Sequence, residues 1–185
     1  MKLDSLLEKP KTIIVGILFL VTLVLYFVFM SVFQVMMVQF PTDAGLMAMK
    51  NAWTVENMQA IFSQWTPELF ELMKLLHVWD LLFMVVYGIL IFTGLLLTAR
   101  GLDGYDKPQK FYLYSTLLAI IAVVLDLVEE VFIYIMLFNP TEITAGVVIG
   151  ADLSTLICII LVYVGILLFL IGLIIVLILF LKNKK

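Results

Sequence analysis

The sequence predicts an all-α integral membrane protein. The expected architecture is a four-transmembrane-helix bundle with an extra amphipathic outer helix between spans one and two. Three observations predict it. Of 185 residues, 64% are hydrophobic and 14% charged, against about 45–50% and about 25% in soluble domains. Four long apolar stretches, at about 12–38, 75–98, 111–137 and 149–181, each exceed the roughly 20 residues that cross a hydrocarbon core. They are continuous apolar runs without apolar–polar alternation, which excludes a membrane β-barrel. The whole chain reads as one integral membrane domain.

Span one resembles a signal peptide only superficially. It is longer than an apolar core of about 7–15 residues, no A-x-A site follows closely, and Asp4 and Glu8 dilute the basic flank. It reads as a retained span. Phe40–Lys74 is long for a connection, and it carries Trp53, Phe62, Trp65 and Phe70 with Met47, Met49 and Met58. Thr54 is placed as N-cap of a helix over Val55–Gln64, whose apolar face is Val55, Met58, Phe62 and Trp65. This outer segment, about 54–66, is expected either as a belt of anchors at the headgroups or as a lid over the bundle mouth. Thr66-Pro67-Glu68 supplies an N-cap, a proline at N1 and a first-turn acid. The helix it starts can run straight into span two.

Gly101 to Pro108 reads as a short polar inner turn, and Asn139-Pro140-Thr141 opens an outer one. Lys2, Lys9, Lys11, Arg100, Lys107, Lys110, Lys182, Lys184 and Lys185 fall on one side, and only Lys50 and Lys74 on the other. Basic residues concentrate on the cytoplasmic side. Both termini are therefore expected in the cytoplasm, in a multi-pass cell-membrane protein. No internal repeat is detectable, so the sequence does not support an inverted-repeat transporter.

Several chemistries are excluded. One cysteine, Cys158, precludes an intramolecular disulfide, CxxC redox chemistry and thiolate zinc sites, and reads as a small packing residue. One histidine, His77, excludes HExxH zincins and multi-histidine metal sites. Phosphate-binding glycine motifs are absent. A net charge of −3 without a basic surface excludes nucleic acid as a partner.

The polar residues inside the spans carry the functional signal, because such residues are rare and usually face the bundle interior or water. Span two has His77, Asp80 and Tyr87. Span three has Asp126, Glu129, Glu130 and Tyr134. Span four has Asp152, Ser154, Thr155 and Cys158, and span one Ser31 and Gln34. At ~1.5 Å per residue, Gln34, Asp80, Glu130, Asp126 and Asp152 fall roughly 5–16 Å below the outer ends of their helices. The helical stripe Ser115, Ala119, Ala122, Asp126 and Glu129 is expected to face inward. So are His77, Asp80, Met84, Tyr87, Ile91 and Gly94 on span two, and Thr155, Cys158, Val162, Gly165, Phe169 and Gly172 on span four.

Insertion of span three gains roughly 5–10 kcal/mol from its aliphatic and Phe residues, and three ionised acids cancel roughly 8–10 kcal/mol. No Lys or Arg lies within a span to neutralise them. Lys74, just outside span two, is the cation placed to snorkel toward them. The shortage of base predicts protonated carboxyls or a bound cation.

The order of features resembles a set of uncharacterised prokaryotic four-helix membrane proteins. These have an outer Trp segment, an Asp and a Tyr early in span two, and a D-x-x-E-N element in span three. The matching residues are Trp65, Asp80, Tyr87 and Asp126-Leu-Val-Glu129; Glu130 departs where the pattern has Asn. The resemblance implies no activity, and it directs attention to Asp80, Asp126 and Glu129.

The leading expectation is an outward-facing intramembrane acidic cluster that binds a proton, cation or small ligand for transport or sensing. Its residues are His77, Asp80, Tyr87, Asp126, Glu129, Glu130, Asp152 and Gln34. The alternative is a membrane scaffold or complex subunit with a purely structural polar core. A third reading is a metal-dependent intramembrane enzyme with His77, Asp80, Asp126 and Glu129 as ligands, a carboxylate-rich set that suits hard metals or iron. The expected partners are the lipid bilayer, a cation or small ligand, and a second copy or a membrane complex. No cofactor is implied.

Overall fold

The computed structural model describes residues 3–183. Lys2, Lys184 and Lys185, used above for orientation, lie outside the described residues. A short 3₁₀ helix, Leu3–Leu7, precedes six α-helices: α1 Thr12–Met37, α2 Leu46–Met49, α3 Val55–Phe62, α4 Pro67–Gly101, α5 Asp106–Phe138 and α6 Ala145–Asn183. No strand occurs among the described residues.

The helix boundaries follow local chemistry. Thr54 caps α3, its side chain accepting the Asn57 N–H at 3.2 Å, and α4 begins at Pro67 as the Thr66-Pro67 pair predicts. Other expectations are corrected. Pro108 does not break the inner turn. It lies in the first turn of α5, where its missing N–H has no helical partner in any case. The turn contracts to 102–105, with Gly104 at φ 85°, a conformation that favours glycine. α3 stops at Phe62, and α2 is an added helical turn.

α1, α4 and α6 are long and apolar enough to cross a membrane. α5 is not among these three, and it carries Asp126, Glu129 and Glu130. The apolar stretch of α4 is 56% buried, against 11% for those of α1 and α6, so α4 is the most enclosed of the three.

The chain divides into two compact units, and all four long helices contribute to both. One unit comprises residues 3–25, 86–122 and 159–183. Here Arg100 fixes the amino-terminal 3₁₀ helix. Its Nη2 donates to the carbonyls of Leu6 and Pro10, both at 2.7 Å, and its Nη1 to Thr12 Oγ1 at 3.1 Å. Small residues on α6 allow close helix approach. A Cβ at Gly172 would stand 2.2 Å from Thr98 Cγ2 and 2.8 Å from the Tyr112 ring.

The second unit, 26–85 and 123–158, holds the main apolar core. Phe33 and Met36 of α1 meet Met73 and Leu76 of α4, Ile133, Met136 and Leu137 of α5, and Val148 and Ala151 of α6. The segment between α1 and α4 is part of this core. Ala44, Leu46, Met49, Ala52, Met58, Ile61, Phe62 and Trp65 are all buried.

Gly172→Ala should therefore overpack the first unit and destabilise it by about 1–3 kcal/mol. Gly146→Ala, with nothing within 4 Å, should leave the melting temperature unchanged or raise it through helix propensity. Thermal melts of both variants in detergent check this contrast.

Candidate functional site

The site lies in the second unit and is built from α4, α5 and the segment between α1 and α4. On α4, His77, Asp80 and Met84 are buried. On α5, Asp126, Glu129 and Glu130 are buried, and so are Ser115, Ala119 and Ala122 of the expected inward stripe. Both stripes face the interior as their spacing predicts.

The segment 40–65 brings in a cation that the sequence reading places elsewhere. Leu46 and Met49 anchor α2 in the apolar core, and Lys50 follows as its C-cap with φ −69° and ψ 0°. The Lys50 ammonium lies 3.1 Å from Asp80 Oδ2 and 2.7 Å from Glu129 Oε1, and its side chain is 13% exposed. Burial opposes the charge, but Asp80, Glu129 and Asp126 together outweigh it. The ammonium therefore titrates well above the ordinary lysine value.

Two further contacts hold the segment in place. The buried Trp65 indole N–H donates to the Ala44 carbonyl at 2.6 Å, and Trp65 is ringed by Phe40, Phe62 and Phe70 at 5.5, 4.8 and 5.1 Å between centroids. Trp53 adopts φ 57°, a left-handed conformation costing a non-glycine residue about 1–2 kcal/mol. Its backbone N–H donates to the Asp152 carboxylate on α6, a charge-assisted bond that offsets this strain.

His77 is fully buried. Its Nδ1 lies 2.9 and 3.0 Å from the two Glu130 carboxyl oxygens, so the pair shares a proton. Its Nε2 has no hydrogen-bond partner. One ligand atom from each of His77, Asp80 and Glu130 falls within 4.8 Å of the others.

Several expectations change accordingly. Lys74 does not reach the acids. It pairs with Glu71 at 2.7 Å and sits 4.9 Å from the Phe138 ring centroid. Lys50 is the neutralising base, delivered by a folded connection that a count of loop charges treats as outer surface. Of the residues expected in the outer segment as anchors or lid, Phe62, Trp65, Met49 and Met58 are buried in the core, while Trp53 and Met47 are exposed. The buried face of α3 is Met58, Ile61 and Phe62, and Trp65 lies beyond the helix end.

Gln34 and Ser31 are exposed on α1 and stay outside the cluster. Tyr87 is buried but belongs to the first unit. Asp152 acts as the tie to Trp53. The three residues that converge around one point are His77, Asp80 and Glu130, so Glu130 enters the group where the expected metal set has Asp126 and Glu129. On α6, Asp152, Thr155, Cys158, Gly165 and Gly172 are buried, while Val162 and Phe169 are partly covered. Comparison with family models, with curated proteins and with solved structures finds no match.

Removing Lys50 should leave Asp80 and Glu129 buried without their cation. Lys50→Met should cost about 3–5 kcal/mol, as for other broken buried pairs. Adding Asp80→Asn and Glu129→Gln should recover most of that loss. Because the folded-state pKa is raised, the contribution of Lys50 is complete below the unfolded value of about 10.4 and fades only as pH rises through the higher folded value. The wild-type advantage over Lys50→Met should thus be the same in thermal melts at pH 7 and pH 9.5.

Proposed function

We propose that the chain is a four-span helical membrane protein with both ends in the cytoplasm. Its buried acidic cluster serves as a proton- or cation-linked site for transport or sensing. One observation carries this reading: four buried carboxyls, Asp80, Asp126, Glu129 and Glu130, accompany one ammonium, Lys50, beside a histidine with an unpartnered nitrogen. Protons or a cation must supply the remaining positive charge, since uncompensated buried charge costs several kcal/mol.

The span count has its own support. α5 exposes Phe111, Leu117, Val124, Val131 and Phe138 among other apolar residues along its full length, while its acids face inward. That pattern suits a helix between lipid and protein. The basic residues Lys9, Lys11, Arg100, Lys107, Lys110 and Lys182 lie at the α-helix ends opposite those flanking Lys50 and Lys74 in chain order, in keeping with the positive-inside rule. The resemblance to prokaryotic four-helix membrane proteins points to Asp80, Asp126 and Glu129, and Asp80 and Glu129 are the two acids that hold Lys50.

The reading competes with a scaffold or complex subunit whose polar core is structural. Thermal melts of purified protein across Na⁺, K⁺, Mg²⁺, Ca²⁺ and Mn²⁺ between pH 5 and 8 separate them. A proton- or cation-linked site predicts stabilisation by at least one ion or by a shift in pH. Asp126→Asn with Glu129→Gln should abolish that response. A melting temperature indifferent to every ion and to pH, with the neutral variant at least as stable as wild type, would establish the structural core instead.

A further inference from the structure

We propose that the groove between the start of α4 and the end of α5 binds the headgroup of a zwitterionic, amine-bearing phospholipid. Trp65, Phe70, Leu137 and Phe138 give it an apolar lining, and Glu71 and Lys74 add one charge of each sign. Its volume of about 380 Å³ lies near the low end of the range for small-molecule sites. All of these residues belong to the second unit. None of them is an acid or base of the buried cluster.

The two charges set the ligand class. The Lys74 ammonium pairs with Glu71 Oε1 at 2.7 Å, and the Glu71 side chain is 72% exposed. An exposed pair of this kind contributes little by itself, so both charges stay open to a ligand. An ammonium has three donors and a carboxylate two acceptor oxygens, and this pair uses one of each. A phosphate can accept from Lys74 while an alkylammonium donates to the second oxygen of Glu71. Aromatic faces favour the same ammonium. The Phe138 ring centroid lies 4.9 Å from the Lys74 nitrogen, and the Phe70 and Trp65 centroids are 5.1 Å apart. A ligand of single charge satisfies one half of this arrangement and is repelled by the other.

The helices supply the place for the acyl chains. α4 and α5 lie in antiparallel register here, Lys74 opposite Phe138 and His77 opposite Tyr134. Farther from the groove, Leu75, Val78 and Leu82 are exposed along α4, and Val131 and Leu127 along α5. A polar rim above apolar flanks fits an amphiphile whose headgroup sits at the membrane surface. On the four-span topology proposed above, this end of both helices faces outside, so the ligand is a lipid of the outer leaflet. It exchanges with bulk lipid, and Lys74 stays reachable between occupants. The proposal rests on that topology and is independent of the acidic cluster.

The test is native mass spectrometry of the full-length protein, titrated with phosphatidylethanolamine, phosphatidylglycerol or glycerophosphoethanolamine. Phosphatidylglycerol carries the phosphate without the amine, and glycerophosphoethanolamine the headgroup without the chains. The expected result is one phosphatidylethanolamine bound about tenfold more tightly than phosphatidylglycerol, the effect of one charge-assisted bond. Glu71→Gln should abolish that preference, and Lys74→Gln should weaken both lipids about tenfold. Thermal melts confirm that both surface variants fold. Equal binding of the two lipids by wild type, tighter binding of phosphatidylglycerol, or a preference that survives Glu71→Gln overturns the proposal. Glycerophosphoethanolamine binding as tightly as the lipid assigns a soluble ligand and overturns it too. The ion and pH responses of the buried cluster are read in separate melts, so failure here leaves that reading standing.

Discussion

The buried ammonium of Lys50, held between Asp80 and Glu129, is the interaction on which the second unit depends. Taking a lysine and several carboxyls out of water is costly, and their attraction offsets that cost only when geometry is fixed. The structure fixes it with apolar packing. α2 is anchored by Leu46 and Met49, α3 by Met58, Ile61 and Phe62, and Trp65 closes the segment with its bond to Ala44. The Asp152 bond to the Trp53 backbone ties the segment to α6. Each of these features makes sense as a means of holding one cation in one place.

A consequence is that the connection between α1 and α4 behaves as core. Phe40, Met49, Met58, Phe62 and Trp65 are the same kind of residue that decorates membrane interfaces, yet here they pack with α1, α4, α5 and α6 within this unit. By contrast, α1 and α6 leave most of their apolar surface outward. In a bilayer this surface requires no protein partner, because lipid covers it. Burial is therefore concentrated on α4, on the inward stripe of α5 and on the folded connection, and these three elements supply all of the site residues.

Much of this was legible in the sequence. Helical spacing placed His77, Asp80, Asp126 and Glu129 on inward stripes, and the Thr54 and Thr66-Pro67 signals located the starts of α3 and α4. These features are local, so a few residues determine them. Lys50 was not legible by the same means. A lysine in a connection counts toward topology, and only long-range packing turns it inward. Two signals pointed to it indirectly: the length and apolar content of Phe40–Lys74, and the lack of any base for the acids of span three. Gln34 failed for the opposite reason. Its depth matched the cluster, but depth does not specify the face of a helix, and α1 is mostly exposed.

The most direct measurement of the central claim is the amine reactivity of Lys50 in intact membranes, compared with Lys74 by peptide mass spectrometry. The Lys74 side chain is 25% exposed and paired with an exposed glutamate, whereas Lys50 is held by two buried acids. Under a brief pulse of acylating reagent near pH 8, Lys74 should be modified while Lys50 is spared. Lys50 should become reactive in unfolded protein and when both Asp80→Asn and Glu129→Gln are introduced. Modification of Lys50 in the folded wild type as rapid as that of Lys74 would contradict the account.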